Sequence, residues 1–395
     1  MLVKRHKFYK TNFKKGEKMN RVLNFSAGPS GLPLSVLERA RDEFLDYHGL
    51  GFNIMEVSHR GKVYETMHNE IIANIKGLYN LDDDYAVLFL QGGGHMQFAQ
   101  VPLNLYIGGE AQYANTGVWT KKAIKDAGIL GINYRITASS EDSNFDHIPS
   151  DAGFSSDADY CYICSNNTIY GTQYKNLPNT HGAPLVVDSS SDLFSREIDF
   201  KAKHIGVFWG GAQKNAGPAG VSVVIIRKDL LDRVEYNEEN KPAPMRHKAP
   251  FASHVPTILL YKVQAEANSL ANTPPTYSIY LLGLVIEWIK EQGGLKAINA
   301  INEQKAELLY KAIDESSFFK AHARADSRSL MNVSFTSPSP ELDALFVKEA
   351  ENEGMIGLKG HRLLGGLRAS IYNAVSLENV KTLVSFMSEF ERKNG

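Results

Sequence analysis

The chain of 395 residues is long enough for two domains, or for one large α/β unit with a smaller appendage. Its 43 Lys and Arg residues balance 44 Asp and Glu residues, which argues against bulk electrostatic binding to nucleic acid or to an anionic membrane. With 43% hydrophobic residues a sizeable core can form, yet no apolar run approaches the length of a membrane span.

The chain begins with a basic extension. Residues 1–18 contain seven Lys or Arg residues and one Glu, without the continuous apolar centre of a secretory signal. Regular patterning starts only after Met19. We therefore expect residues 1–18 to be poorly ordered.

Helical and strand-like segments alternate over the next part of the chain. Helices are predicted at Pro33–His48 and Tyr64–Tyr79. The strand-like runs are Tyr85–Leu90, Ala111–Tyr113, Tyr160–Cys164, Leu185–Val187, Val207–Trp209 and Val221–Ile226. This alternation predicts an α/β fold with a mostly parallel sheet flanked by helices, in a large domain over residues 19–277.

The two cysteines, Cys161 and Cys164, lie in one predicted strand. Residues three positions apart on a strand point to opposite faces, and no second pair of Cys or His lies nearby to complete a zinc site. We interpret them as ordinary strand residues and predict no metal. Two cysteines are also too few for a disulfide framework, which indicates an intracellular, cytoplasmic protein.

The pattern changes at about Ser278, where a long amphipathic helix begins and runs to Gly293 and Gly294. Further helices are predicted at 295–314, 341–353 and 377–392, and strands at 330–336 and 366–372. These segments predict a smaller α+β domain over residues 278–395.

A glycine-rich turn follows the predicted strand Tyr85–Leu90. Gly92, Gly93, Gly94 and His95 stand just before a helix-like stretch. Such a turn presents free backbone N–H groups to a phosphate, although a plain tight turn is the commoner meaning of this pattern. It matches neither the dinucleotide-binding fingerprint nor the P-loop.

Three more polar residues follow predicted strands. Thr168 comes after one strand, Asp188 closes the next, and Lys214 follows Trp209 in a segment of small residues. Taken singly, Asp188 could be a helix N-cap and Lys214 a solvated loop lysine. Ligands collect at the carboxyl ends of parallel strands, however, and pyridoxal phosphate needs a lysine, an acid and a phosphate cradle together. The combination therefore predicts a pyridoxal-phosphate site.

Longer motifs extend this interpretation. They are NFSAGP, HGLG, EVSHRGK, GGGHMQF, GAQKNAGPAG, NTPPT and KGHRLLGGLRASIYNA. With these motifs the chain from Leu23 to its C-terminus resembles the phosphoserine aminotransferases, which are class V aminotransferases with the fold-type I architecture.

The resemblance implies a role for each matching residue. Lys214 would hold the cofactor covalently and Asp188 would pair with the pyridine nitrogen. The other residues implied to bind the cofactor are Gly94, His95, Trp119, Thr168 and Gln213, with Asn272 and Thr273 reaching it from the second subunit of a homodimer. Many family members have Arg where this chain has His95, so one fixed positive charge is absent here.

The resemblance also implies the substrate site. Arg368 would bind the substrate α-carboxylate. The residues implied to hold the substrate phosphate or the distal carboxylate of glutamate are His59, Arg60, His361 and Arg362. Such a cationic group suits a dianionic substrate, whereas the ordinary alternative for each arginine is a surface ion pair.

We predict a transaminase that interconverts 3-phosphohydroxypyruvate plus glutamate with O-phosphoserine plus 2-oxoglutarate, in serine and pyridoxine biosynthesis. One alternative is another class V enzyme, such as a cysteine desulfurase, which needs a cysteine on a mobile loop. Another is a phosphometabolite-binding protein without catalysis, which would need no lysine linkage to a cofactor.

Overall fold

The computed structural model describes residues 21–233 and 255–395. The predicted extension over residues 1–18 lies outside them. Along the two described ranges, no helix is both long and apolar enough to cross a membrane.

The described part of the chain alternates helices and strands. Its α-helices are α1 (Leu34–Asp42), α2 (Lys62–Leu78), α3 (Gly93–Leu105), α4 (Val118–Ile129), α5 (Tyr261–Glu266), α6 (Thr276–Glu291), α7 (Gly294–Asp314), α8 (Pro340–Asn352) and α9 (Leu377–Asn394). Its strands are β1 (Leu23–Asn24), β2 (Tyr85–Leu90), β3 (Ala111–Asn115), β4 (Tyr134–Ser139), β5 (Tyr160–Cys164), β6 (Asn166–Asn167), β7 (Thr172–Gln173), β8 (Leu185–Asp188), β9 (Ile205–Gly211), β10 (Ser222–Arg227), β11 (Lys320–Ala321), β12 (Asn332–Thr336), β13 (Met355–Ile356) and β14 (Leu367–Ser370).

A seven-stranded sheet in the order β2-β10-β9-β8-β5-β3-β4 organises the larger part of the molecule. Strand β10 is antiparallel to both neighbours, and the pairs from β9 through β4 are parallel. The predicted mostly parallel sheet is thus confirmed. The carboxyl ends of β2, β3, β5, β8 and β9 consequently meet along one edge.

Two apolar clusters cover the two faces of this sheet. Alternate residues of one strand enter different clusters: Val87 and Phe89 face one, while Leu88 and Leu90 face the other. Helices α2 and α6 pack on the first face, and α3 and α4 on the second. Because both faces are dry, the strands are nearly continuous apolar runs, which is why most of them can be predicted.

A second sheet of three antiparallel strands, in the order β11-β12-β14, lies towards the C-terminus and packs with α7, α8 and α9 around its own apolar cluster. The start of the chain joins this region, since β1 pairs in parallel with β13 and Phe25 is fully buried in the same cluster. Helix α6 instead packs against α2 on the large sheet. The predicted division of the chain after residue 277 stays a prediction.

The structure differs from the sequence prediction at α1 and at β4. Helix α1 ends at Asp42 rather than His48, because the following residues form a separate turn in which His48 and Gly49 have φ of 52° and 79°. Strand β4 was not predicted. It is an edge strand with exposed Tyr134, Arg135 and Ile136, so it lacks the apolar run of a buried strand.

Candidate active site

A cavity of about 430 Å³ opens at the edge of the large sheet where the parallel strands end. That size suits a cofactor with part of a small substrate. Nine of the predicted site residues line it: Gly94, His95, Trp119, Thr168, Asp188, Gln213, Lys214, His361 and Arg368.

Lys214 follows β9 and its side chain enters the cavity. Its Nζ donates a hydrogen bond to Thr168 Oγ1 at 3.0 Å. Burial lowers the pKa of the Lys214 amine, with nearby Asp188 acting in the opposite direction. A larger fraction of this amine is therefore neutral, which is the form that attacks a carbonyl.

Gly28 makes room for that lysine. Its φ of +136° is unfavourable for other residues, and a Cβ there would lie 3.1 Å from Lys214 Cγ. Ser30, two residues on, donates a hydrogen bond to the Lys214 carbonyl oxygen at 2.6 Å. Residues 28–30 thus contact Lys214 from a part of the chain far from it in sequence.

Asp188 is buried at the carboxyl end of β8. The Ser190 amide and hydroxyl donate to its Oδ1 at 3.0 and 2.6 Å, and no protein donor in the described ranges contacts Oδ2. Burial raises the pKa of Asp188 to about 6, against the lowering effect of Ser190 and Lys214. A buried carboxylate with one free oxygen facing a cavity suits a protonated nitrogen of a ligand.

The glycine turn after β2 forms the floor of the cavity. Gly92, with φ of 88°, caps α3, which begins at Gly93. A Cβ on Gly94 would lie 3.0 Å from the Trp209 ring and 3.2 Å from Ser190 Oγ. Small residues here therefore leave the first N–H groups of α3 open to the cavity, where a phosphate would be bound by them and by the helix dipole.

Arg368 reaches the cavity from β14. Its Nη1 lies 3.4 Å from the Thr168 carbonyl oxygen, its Nε is buried without an acceptor, and no carboxylate in the described ranges pairs with it. Burial lowers the pKa of this guanidinium, which nevertheless stays charged at neutral pH. Trp119 Nε1 is also buried and has no partner within residues 21–233 and 255–395. An anionic ligand would satisfy the unpaired guanidinium.

Known proteins are similar to this chain in sequence and in fold. The class V aminotransferase family model matches residues 22–383. A phosphoserine aminotransferase of Campylobacter jejuni subsp. doylei is 56% identical over 375 residues, which cover 94% of this chain and 99% of the relative. The chain belongs to the phosphoserine aminotransferase family.

Solved structures of the family agree. The phosphoserine aminotransferase from Bacillus circulans subsp. alkalophilus has a TM-score of 0.88 at 45% identity, with 95% of this chain and 100% of that chain covered. A pyridoxal-phosphate-bound phosphoserine aminotransferase from Trichomonas vaginalis has a TM-score of 0.84 at 36% identity, with 93% and 100% covered.

As a member of this family the chain is a pyridoxal-phosphate-dependent aminotransferase with the fold-type I architecture. Its cavity fits the cofactor, because an amine, a buried acid and an open helix N-terminus all face one space. A cysteine desulfurase would need a mobile loop cysteine, whereas Cys161 and Cys164 are both buried in β5. Membership of the family also sets aside the alternative of a binding protein without catalysis.

Five predicted site residues do not line this cavity. Arg362 is exposed beside His361, and His59 and Arg60 precede α2. Asn272 and Thr273 are exposed, with Gln91 Nε2 donating to the Thr273 carbonyl oxygen at 3.4 Å. Within one chain none of these five residues lines the cavity that contains Lys214.

Sequence reasoning missed several residues that line the cavity. Gly28, Cys164, Ser190 and Trp209 belong to this group. Cys164 and Trp209 were predicted only as strand residues, yet each lies at or near the carboxyl end of a parallel strand. Their position at the carboxyl ends of parallel strands could have identified both as site residues. Gly28 lies in the NFSAGP motif, but no role was predicted for it, and only the structure shows that it reaches Lys214 from a distant part of the chain.

Charge accumulates on one side of the cavity. His361 and Arg368 both line it, and among the described residues Asp188 is the only acidic one that does so. Burial lowers the pKa of His361, and the positive charges of Arg368, Arg362 and Lys122 lower it further. Three cationic side chains are therefore close enough to His361 to act on its imidazole.

Proposed function

We propose that this aminotransferase interconverts 3-phosphohydroxypyruvate plus glutamate with O-phosphoserine plus 2-oxoglutarate in serine biosynthesis, and that the predicted residues have the roles set out below. The observation that carries the proposal is the convergence of Lys214, Asp188 and the unpaired Arg368 in one cavity. The ligands bound between these three residues need an electrophilic carbon for Lys214, a basic nitrogen for Asp188 and a carboxylate for Arg368.

Bound pyridoxal phosphate supplies an aldehyde that condenses with amines and a ring that accepts electrons. Lys214 provides the amine that holds it and, once freed, moves the proton at the substrate Cα. Its lowered pKa supports this role, because a base must be unprotonated at the working pH.

The remaining cavity residues bind and orient. Asp188 Oδ2 accepts a hydrogen bond from the protonated ring nitrogen, and the first turn of α3 binds the cofactor phosphate with Gly94, His95 and Gln213. Thr168 contacts the cofactor beside Lys214, and Trp119 stacks on the ring. Arg368 binds the α-carboxylate in a bidentate manner.

The distal phosphate of the substrate is bound by His361 and Arg362, together with His59 and Arg60. We expect the wild type to prefer O-phosphoserine over serine by about a hundredfold or more in kcat/KM. Each charge-assisted hydrogen bond contributes about 1.5–3 kcal/mol, and serine would forgo more than one. Steady-state kinetics with both amino acids measure this preference.

Arg362→Ala should lower that preference by raising the KM for O-phosphoserine. Arg392→Ala, at an exposed position near the end of α9, is the matched control and should behave as wild type. Equal use of serine and O-phosphoserine by the wild type would contradict the proposed substrate.

The same proposal includes a homodimer with shared sites. Asn272 and Thr273 lie on the surface of the chain, and a group of large apolar side chains is exposed in the turns that precede His59 and Arg60. These exposed residues are Phe44, Leu45, Leu50, Phe52 and Met55. A second copy would cover them and bring residues of one chain to the cavity of the other.

Mixing two inactive variants tests this arrangement. Lys214→Ala and the double variant Asn272→Ala/Thr273→Ala are each expected to be nearly inactive. If the second pair acts on the partner's cavity, each heterodimer has one intact site, and an equal mixture should recover about a quarter of wild-type activity. Activity is measured after co-refolding, with heterodimers quantified by differential tagging.

Lys214→Ala mixed with Asp188→Asn is the matched control, because both residues line the same cavity of one chain and no intact site can form. Gln91 contacts Thr273 within the chain, so an intrachain role is the competing arrangement. Proven heterodimers without recovered activity would establish that arrangement instead.

The proposal extends to location and pathway. Both cysteines are free and buried, which fits a reducing cytoplasm. 4-Phosphohydroxythreonine carries the same amine, carboxylate and phosphate as O-phosphoserine, and we include it as a substrate, which adds a role in pyridoxine biosynthesis.

A further inference from the structure

Lys122 is a cation near the cavity that no motif singled out. It lies on α4, three residues after Trp119, so the two side chains share one face of the helix. The Lys122 Nζ lies over the Trp119 ring, 4.5 Å from its centre. Trp119 lines the cavity and Lys122 does not, so the Lys122 ammonium lies beside a wall of the cavity.

This ammonium has no counter-ion in the described ranges. No ion pair or hydrogen bond from Lys122 occurs there, although the side chain is partly buried. The adjacent Lys121 differs, because it is exposed and forms an ion pair with Glu141. A cation–π contact at a partly exposed site stabilises by only about 0.5–1 kcal/mol and leaves the positive charge unneutralised.

Two distances limit where this charge can be. Lys214 Nζ lies 6.0 Å from the centre of the same Trp119 ring. The two distances add to 10.5 Å, which is the largest possible separation of the two lysine nitrogen atoms. The charge of Lys122 also acts on His361, which lines the same cavity. Lys122 is therefore within 10.5 Å of the Lys214 amine, and its charge reaches His361 on the cationic side of the cavity.

We infer that Lys122 is a specificity-determining residue, whose ammonium beside the cavity wall favours a doubly charged phosphate over a singly charged carboxylate. This inference rests on the proposed function. A flexible four-carbon stem lets a lysine leave an aromatic face and approach an incoming phosphate. Phosphate carries nearly two negative charges at neutral pH, whereas the distal group of glutamate carries one, so an added cation affects the two substrates unequally.

Lys122→Gln should raise the KM for O-phosphoserine roughly threefold to tenfold at low ionic strength, with kcat unchanged and the KM for glutamate altered less than about twofold. Lys122→Arg should retain the wild-type KM values, since it keeps the charge. Lys121→Gln is the matched control and should behave as wild type, because the Lys121 ammonium is engaged in an ion pair with Glu141. Raising the salt concentration should shrink the effect of Lys122→Gln.

Two results would overturn the inference. An unchanged ratio of the two KM values in Lys122→Gln would remove Lys122 from substrate selection. Equal increases for both substrates would show that Lys122 acts by holding Trp119 rather than by its charge. If the wild type itself did not distinguish O-phosphoserine from serine, the proposed function would fail instead, so the two failures are distinguishable.

Discussion

Replacing Lys214 with alanine is expected to reduce turnover by about a thousandfold or more, while the cofactor still binds. Removing a general base typically costs 10²–10⁴-fold, and this substitution also removes the amine that holds the cofactor. The glycine turn, Asp188 and Trp119 remain to bind the cofactor without a covalent link. Turnover and bound cofactor are measured on the same preparation.

Borohydride reduction of the wild type, followed by peptide mapping, provides the direct assignment. The pyridoxyl mass should be found on the peptide that contains Lys214. Lys201→Ala is a suitable control, because Lys201 is exposed and pairs with Asp82 far from the cavity lining. A label on any other lysine would refute the role given to Lys214.

Replacing Asp188 with asparagine is expected to reduce turnover at least about a hundredfold. The asparagine amide is nearly the same size and can still receive the Ser190 bonds, but it has no charge to keep the ring nitrogen protonated. The ring then accepts electrons less readily. Single-turnover kinetics with glutamate measure the effect, and a rate within tenfold of wild type would contradict the assignment.

In the absence of the cofactor, Asp188→Asn should make the protein more stable than wild type at neutral pH. Burial raises the pKa of Asp188 from 3.8 to about 6, so the native protein binds this proton more tightly than the unfolded chain does. The ionisation of Asp188 therefore removes roughly 3 kcal/mol of stability from the wild-type apoprotein as pH rises from about 4 to 6. The Asp188→Asn apoprotein does not lose this stability, because asparagine does not ionise.

Urea denaturation of both apoproteins across that pH range tests the linkage. The stability of Asp188→Asn relative to wild type should rise between pH 4 and pH 6 and then level off. A parallel pH dependence of the two proteins would show that Asp188 is not held in a destabilising environment. Adding the cofactor should favour the wild type again, because the ring nitrogen is the partner that the carboxylate lacks.

Part of the candidate site was predictable from sequence because its residues follow apolar strands. Asp188, Thr168 and Lys214 each come just after a run that is buried on both sides, and parallel strands bring such positions to one edge. The large sheet was predictable for the same reason. Strand β4 was not, since exposed side chains at a sheet edge need no apolar pattern.

Contacts between distant segments were beyond that reasoning. The space that Gly28 leaves for Lys214 depends on the path of the N-terminal segment, which no local pattern encodes. Lys122 is likewise one of several lysines on α4, and only the fold shows that it lies over Trp119 while Lys121 pairs with Glu141. Asn272 and Thr273 were found by resemblance, and a single chain does not bring them to the cavity.

The pairing of β1 with β13 has a consequence for synthesis of the chain. Leu23 and Asn24 leave the ribosome early, but Met355 and Ile356 are made near the end. Gly28, which leaves space for Lys214, lies shortly after this strand, so the pairing that anchors its segment forms only when almost the whole polypeptide has emerged. The large sheet can assemble earlier from its own strands, whereas closing so long a loop comes late. A nascent or truncated chain would therefore contain Lys214 before the segment with Gly28 could pack against it.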